Sequence, residues 1–130
     1  MLEEIDAAVL FVRRFVERNS TLTKAQIQSF GENLSQILQE RFRNHWYEHE
    51  PTKGQGYRCI RINEARPVDP ILEQAAMVTQ GLKYGDLRLP PEMTLWVDPH
   101  DVYCRQVIPF DDCISMQCIK LVNEEIINST

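Results

Sequence analysis

The sequence predicts an α+β domain in which an N-terminal helical hairpin and further short helices pack on a small, mainly antiparallel β-sheet. Two successive segments within the first 42 residues carry apolar residues at helical spacing. The second half of the chain instead carries short runs of alternating apolar residues, separated by prolines, glycines and aspartates. A chain of 130 residues with 43% hydrophobic and 25% charged residues suits one globular domain.

The two N-terminal segments predict the helical hairpin. The first helix is expected over Leu2–Arg18, and the second begins where Thr23 and Gln26 form a capping-box pattern. Because neither helix is apolar all round, a further surface must cover their apolar stripes. The stripes consist of Ile5, Val9, Val12 and Val16 in the first helix and of Ile27, Phe30, Leu34, Ile37, Leu38 and Phe42 in the second.

The remaining elements follow from turn residues and alternation. A third helix should begin at Asp69 and Pro70, since aspartate is a good N-cap and proline fits the first helical position, and it should end near Gly81. A turn is expected near Pro109–Asp112. We predict one domain over residues 1–122 and a short C-terminal tail over 123–130. The predicted strands are Tyr57–Ile62, Thr94–Val97, Val102–Ile108 and Cys113–Val122.

Composition and charge narrow the possible functions. The formal net charge is −5, which argues against binding nucleic acid by bulk phosphate attraction. No apolar run approaches the ~20 residues that span a bilayer, and the acidic N-terminus is unlike a signal peptide. An intracellular protein without membrane contact is therefore expected. The four cysteines form no C-x-x-C pair and are expected to be free thiols.

Alternation along two strands places large aromatic residues on a polar face. Within Thr94–Asp98, Leu95 and Val97 should face the core, so Trp96 lies on the opposite face. The same reasoning places Tyr57 on the outward face of the preceding strand. Exposed aromatic residues beside charges are typical of interface hot spots. The competing interpretation is that a neighbouring helix covers both rings and makes them part of the core.

Two other functions are compatible with particular residues. A metal site could use His45 and His49, which are four residues apart, together with Cys59. A single-stranded RNA-binding domain could use a basic and aromatic patch between Lys53 and Arg66. The patch would consist of Lys53, Arg58, Arg61 and Arg66 with Tyr47 and Tyr57. The sequence predicts no catalytic residues, no cofactor and no bound metal.

Two longer motifs carry a family resemblance. Phe42–Tyr47 together with Pro51–Asn63 resembles box A of the BTG/Tob antiproliferative family. Leu89–Pro99, followed by Arg105, resembles box B of the same family. With the N-terminal helices and the segment that begins at Asp69, the resemblance covers about residues 1–105 and leans towards the oocyte and maternal branch.

The resemblance implies a non-enzymatic adaptor. Members of this family bind a Caf1-type deadenylase subunit of the CCR4–NOT complex through boxes A and B, promote shortening of mRNA poly(A) tails and restrain proliferation. The partner-binding residues would be Tyr57, Trp96, Asp98 and Asp69. The two aromatic residues would anchor the partner, and the two aspartates would supply hydrogen bonds or charge pairing.

The resemblance also implies a cellular setting. A cytoplasmic and nuclear location is expected, with an RNA-binding protein or transcription factor as a second type of partner and no direct contact with nucleic acid. After Arg105 the glycine-containing turn usual in the family is absent, and the remaining tail resembles no segment of the family.

Overall fold

The computed structural model describes the backbone of residues 1–108 and 113–118 and the side chains of residues 1–105. It contains three α-helices and a four-stranded sheet, which confirms the predicted α+β class. The predicted domain end at residue 122 and the turn at 109–112 lie outside the described residues. The elements are α1 (Leu2–Asn19), α2 (Lys24–Phe42), β1 (Cys59–Ile62), α3 (Pro70–Met77), β2 (Met93–Asp98), β3 (Asp101–Ile108) and β4 (Cys113–Cys118).

The N-terminal helices form and end close to the predicted positions. The capping box at the start of α2 is present, with the Thr23 hydroxyl accepting from the Gln26 N–H at 3.1 Å and the Gln26 side chain accepting from the Thr23 N–H at 3.0 Å. The buried side of α1 packs against α2 and the sheet, where it includes Ile5, Val12 and Val16. This packing supplies the covering surface that both apolar stripes require.

The sheet has the strand order β1-β2-β3-β4, and all neighbouring strands are antiparallel. Cys59 on β1 lies opposite Trp96 on β2, which in turn lies opposite Tyr103 on β3. The inner face of the sheet packs against the helices and belongs to one hydrophobic core. Its buried residues are Ile60, Ile62, Met93, Leu95, Val97, Val102 and Cys104.

Two predicted boundaries were wrong by two or more residues, while the helix and strand ends at Asn19, Met93, Asp98 and Asp101 differ from the predicted ones by a single residue. β1 begins at Cys59 instead of Tyr57, because Gln55–Arg58 forms a 3₁₀ turn before the strand. α3 begins at Pro70 with Asp69 as its N-cap, as predicted, but it ends at Met77, before Gly81. The predicted strand Cys113–Val122 is observed as Cys113–Cys118, and the rest lies outside the described residues.

Within residues 1–108 and 113–118, no helix combines the length and apolarity needed to cross a bilayer.

Candidate functional site

As far as residues 1–105 show, the outer face of the sheet, which points away from the helices, is open. Along Met93–Val97 of β2 the side chains alternate between buried and half-buried positions, as expected for a strand with only one face in the core. None of the six described residues at the centre of this face is buried. They are Cys59, Arg61, Thr94, Trp96, Tyr103 and Arg105.

Trp96 lies half-buried on this outer face, so the prediction that it lies opposite Leu95 and Val97 is confirmed. Its ring stacks on the ring of Tyr103, with 5.2 Å between centroids and 25° between planes. Because Tyr103 is directly across the ladder, the stack is a cross-strand pair that holds the indole in place. The ring is therefore supported from the side and is not enclosed by the core.

Tyr57 is 54% exposed, but it stands in the 3₁₀ turn and not on the strand where the sequence placed it. Its ring stacks on the imidazole of His45, with 4.0 Å between centroids and only 7° between planes. The Arg41 side chain fixes the backbone of Tyr57, since Arg41 Nε donates to the Tyr57 carbonyl at 2.9 Å. The exposed Tyr57 ring is thus held in place by the stacked imidazole and by the hydrogen bond to its backbone. We call Tyr57, Trp96 and Tyr103 the aromatic face.

Arg58, which precedes β1, is completely buried beneath the aromatic face. Its Nη2 forms an ion pair with Asp98 Oδ1 at 3.1 Å, and its Nε donates to the Val97 carbonyl at 2.9 Å. Three further hydrogen bonds of 2.6–2.7 Å reach carbonyls of the preceding loop, those of His45, Pro51 and Lys53. These five bonds match the five N–H donors of a guanidinium group, so the burial of its charge is fully compensated.

The loop that surrounds the Arg58 guanidinium depends on a glycine. Gly54 has φ +75°, in the left-handed region that other residues rarely adopt. A Cβ atom at this position would lie 3.2 Å from Arg58 Nη1 and 3.3 Å from the Tyr47 ring. The glycine therefore permits both the turn and the close approach of the guanidinium to the loop.

Asp98 lies on the side of β2 that carries Trp96, but it is only 3% exposed. Both of its oxygens are occupied within the domain, and the partner-binding role that the resemblance implies for Asp98 stays a prediction. Oδ1 pairs with Arg58, and Oδ2 accepts from Gln55 Nε2 at 2.6 Å and lies 3.3 Å from the Tyr103 hydroxyl. Burial and the Asp98 charge raise the pKa of Tyr103 above its usual value.

Asp69 is also buried, at 5% exposure, and acts inside the domain. Its Oδ1 accepts from the N–H groups of Ile71 and Leu72 at 2.8 and 3.2 Å, which caps α3. Its Oδ2 accepts from the Arg61 N–H at 2.9 Å and so ties the helix start to β1. The proposed charge pairing of Asp69 with a partner would thus compete with three bonds that it already makes.

The structure does not assemble the rival sites as the sequence suggested. α2 ends at Phe42, so His45 and His49 do not share a helix face, and His45 stacks on Tyr57. In the part of the chain with described side chains, no three His, Cys, Asp or Glu residues are grouped closely enough to hold a metal. The RNA patch loses Arg58, because a fully buried guanidinium cannot contact a phosphate.

Comparisons with known proteins place this arrangement in a family. The BTG family model matches residues 1–116. The chain is 49% identical over 105 residues to "Protein BTG3" of Mus musculus, which covers 81% of this chain and 41% of that protein. It is equally similar to "Protein BTG4" of Homo sapiens over 105 residues, or 47% of that protein.

The chain belongs to the BTG family.

One further relative agrees with the BTG assignment, and one solved structure shares the fold. "Maternal B9.15 protein" of Xenopus laevis is 44% identical over 105 residues, which are 81% of this chain and 45% of that protein. The C. elegans FOG-3 BTG/Tob domain, solved as a doubly substituted variant, has the same fold with a TM-score of 0.72 at 22% identity. That match covers 97% of this chain and 98% of the solved domain.

BTG membership supports a regulator and not an enzyme. The aligned segment spans less than half the length of these relatives.

Sequence reasoning missed three residues of the candidate site: Gln55, Arg58 and Tyr103. Arg58 was assigned to a surface patch, and nothing in its local sequence indicates burial, because its partners are mostly backbone carbonyls. Tyr103 could have been found by pairing the strands, since a two-residue turn after Asp98 places it opposite Trp96. Gln55 lies in a turn whose geometry alternation does not describe.

Proposed function

We propose that this BTG domain is a non-enzymatic adaptor that binds a Caf1-type deadenylase subunit of the CCR4–NOT complex through its aromatic face. In this proposal the complex promotes shortening of mRNA poly(A) tails, restrains proliferation and operates in the cytoplasm and nucleus. The observation that carries the proposal is the half-buried Trp96 ring, presented on an open sheet face next to the turn that carries Tyr57.

The aromatic face has the properties of a hot spot. Large rings bury much apolar area on contact, and rings already held in one orientation lose little side-chain entropy when a partner docks. Tyr103 holds Trp96, and His45 holds Tyr57. Gln55 connects the two parts, since its Nε2 donates to both Asp98 Oδ2 and the Tyr103 hydroxyl.

The two aspartates receive a different role in the proposal from the one that the family resemblance implied. Asp98 and Asp69 are buried and hydrogen-bonded within the domain. They support the partner site by fixing the 3₁₀ turn and the start of α3, while Trp96 and Tyr57 supply the contact. Loss of partner binding on changing either aspartate should therefore be accompanied by loss of stability.

The test is the affinity of a purified Caf1-type subunit for the wild-type chain and for Trp96→Ala and Tyr57→Ala. Truncating a hot-spot ring should weaken binding by about 2 kcal/mol or more, which is roughly a 30-fold rise in Kd. Met77→Ala is the matched control, because Met77 is a 76% exposed apolar residue at the end of α3 and not on the outer sheet face.

A thermal melt of each variant separates binding from folding. The proposal requires that Trp96→Ala keeps a cooperative transition near that of the wild-type chain. Unchanged affinity in a folded Trp96→Ala variant would exclude the aromatic face as the partner site, and no binding by the intact chain would exclude the adaptor itself.

A further inference from the structure

A cavity beside the aromatic face carries a concentration of positive charge. Its volume is about 290 Å³, and it lies where β1 meets the start of α3. Arg41, Arg61 and Arg66 line it, together with the carboxylate of Asp69. Three guanidinium groups against one carboxylate leave a formal charge of +2 (3 − 1). This is opposite in sign to the whole chain, whose formal net charge is −5.

Contacts hold two of these guanidinium groups at the cavity. Arg41 Nε donates to the Tyr57 carbonyl, next to Gly56, which also lines the cavity. Burial raises the pKa of the Cys59 thiol, while the charge and hydrogen bond of Arg61 oppose that shift. The Arg61 guanidinium therefore lies against Cys59, another lining residue, and two cationic groups converge from different elements.

The cationic charge in the cavity is available to a ligand. Within residues 1–105, neither Arg61 nor Arg66 forms an ion pair with a carboxylate. Asp69 does not neutralise them through hydrogen bonds, because its two oxygens accept from the backbone N–H groups of Arg61, Ile71 and Leu72. The backbone of Arg66 is fixed by a reciprocal pair of hydrogen bonds with Asn63, so its position at the rim is defined.

We propose that this cavity binds the phosphate dianion of a phosphorylated serine or threonine in a protein partner. A phosphomonoester carries about −1.5 to −2 charges at neutral pH, which matches the formal charge of the site. Guanidinium groups also match the geometry of phosphate oxygens through paired N–H donors. The site adjoins Tyr57 but does not rest on the deadenylase proposal, because its ligand is a different group and its test uses the isolated chain.

The cavity suits a phosphorylated side chain better than an RNA strand. An RNA phosphodiester carries one negative charge, so it would leave part of the cationic charge unmatched. Single-stranded RNA sites usually combine a long groove with aromatic rings on which bases stack. Among the described lining residues of this cavity there is no aromatic ring.

The experiment is an NMR titration of the isotope-labelled 130-residue chain with a capped Gly-Ser-Gly peptide whose serine is phosphorylated. The unphosphorylated peptide, a Gly-Glu-Gly peptide and inorganic phosphate are titrated in parallel. We expect saturable shifts at Gly56, Arg61 and Arg66 with the phosphopeptide and with inorganic phosphate. Arg61→Gln and Arg66→Gln should each weaken phosphopeptide binding by about fivefold or more, as loss of a hydrogen bond to a charged group does.

The matched control is Arg43→Gln, which removes the same charge from an exposed position at the C-terminal end of α2, outside the cavity. It should change the affinity by less than about twofold, because Arg43 does not line the cavity and salt screens the charge of an exposed side chain. Arg66 lies in an exposed loop, so its substitution reports on the site even where Arg61→Gln disturbs β1.

Three results would overturn the proposal. The first is the absence of saturable shifts with any phosphate. The second is equal affinity for the glutamate and phosphoserine peptides, which would make the cavity a carboxylate site. The third is tighter binding of a single-stranded RNA oligonucleotide that is lost in the same two arginine variants, which would assign the cavity to the RNA backbone.

Discussion

The two faces of the sheet differ in what stabilises them, although their residues alternate along the same strands. The inner face is a continuous part of the hydrophobic core, with Leu95 and Val97 fully buried. The outer face carries exposed and half-buried side chains, and its only fully covered part in the described chain is the Arg58–Asp98 pair. Packing thus shapes one face, while hydrogen bonds and ring stacking position the other.

Neighbouring residues on one strand can therefore serve separate purposes. A residue of the inner face contributes stability in proportion to the apolar area that it removes from water. A residue of the open outer face remains available to a partner and contributes less to folding. Substitutions one position apart should therefore separate stability from recognition.

The largest effect is expected for Arg58→Met, which removes the guanidinium and leaves Asp98 buried without its ion pair. Breaking a buried pair in this way should lower the free energy of unfolding by about 3–5 kcal/mol. Chemical denaturation measures the change. Arg61→Met is the control, because an exposed arginine on the outer face should change stability by no more than about 0.5 kcal/mol. Equal stability of the two variants would contradict the structural role given to Arg58.

The next largest effect is expected for Leu95→Ala, and it should exceed the effect of Trp96→Ala. Leu95 is fully buried, so its truncation should lower the free energy of unfolding by about 2–5 kcal/mol. Trp96 is half-buried on the open face, so its truncation should have less than half the effect of the leucine change. Urea denaturation of both variants tests the difference between the faces. A larger loss for Trp96→Ala would mean that its ring belongs to the core.

Asp69→Ala should lower the free energy of unfolding by less than the two preceding core and ion-pair substitutions. It removes the N-cap of α3 and should lower the free energy of unfolding by about 0.5–2 kcal/mol. Asp69→Asn keeps one acceptor oxygen for the helix cap but loses the charge and the acceptor for the Arg61 N–H, so only part of the stability should remain. If Asp69→Asn nevertheless loses deadenylase binding while staying folded, the carboxylate charge acts on the partner and not only on the helix.

The smallest effect concerns two cysteines on opposite faces. Cys104 is buried on the inner face, and burial raises its pKa to about 12, whereas Cys59 on the outer face is partly exposed. Native-state alkylation at mildly alkaline pH should therefore modify Cys59 faster than Cys104, as peptide mass spectrometry can measure. Comparable rates in the native chain, with no global unfolding, would contradict the burial of the inner face.

The Cys104 thiol also makes the stability of the domain depend on pH. Burial raises the native pKa of Cys104 above its usual value of 9.0, so the folded state holds this proton more tightly than the unfolded state. Its contribution to stability is complete below about pH 9 and decreases as the pH rises towards 12.

Much of the fold could be predicted because it depends on local signals. Hydrophobic spacing predicted both long helices, the capping box predicted the start of α2, and Asp69-Pro70 predicted the start of α3. Alternation correctly placed Leu95 inside and Trp96 outside. These features need only a few neighbouring residues, which explains why a single sequence contains enough information.

The supporting residues of the site could not be predicted in this way. Arg58 bonds to Val97, which is 39 residues away, and to loop carbonyls whose positions depend on a left-handed glycine. The burial of Asp98 follows from that long-range bond. The sequence therefore named the residues Tyr57 and Trp96, but the groups that hold them became visible only in three dimensions.

The environment of Arg58 also has a consequence for dissecting this protein into fragments. The loop before β1 takes its shape from a side chain that must reach a carbonyl of β2 as well as three of its own carbonyls. A synthetic peptide covering box A alone would lack the second strand and would have no reason to adopt this shape. The shape on which the proposed recognition depends is thus a property of the assembled domain and cannot be transplanted as a short linear motif.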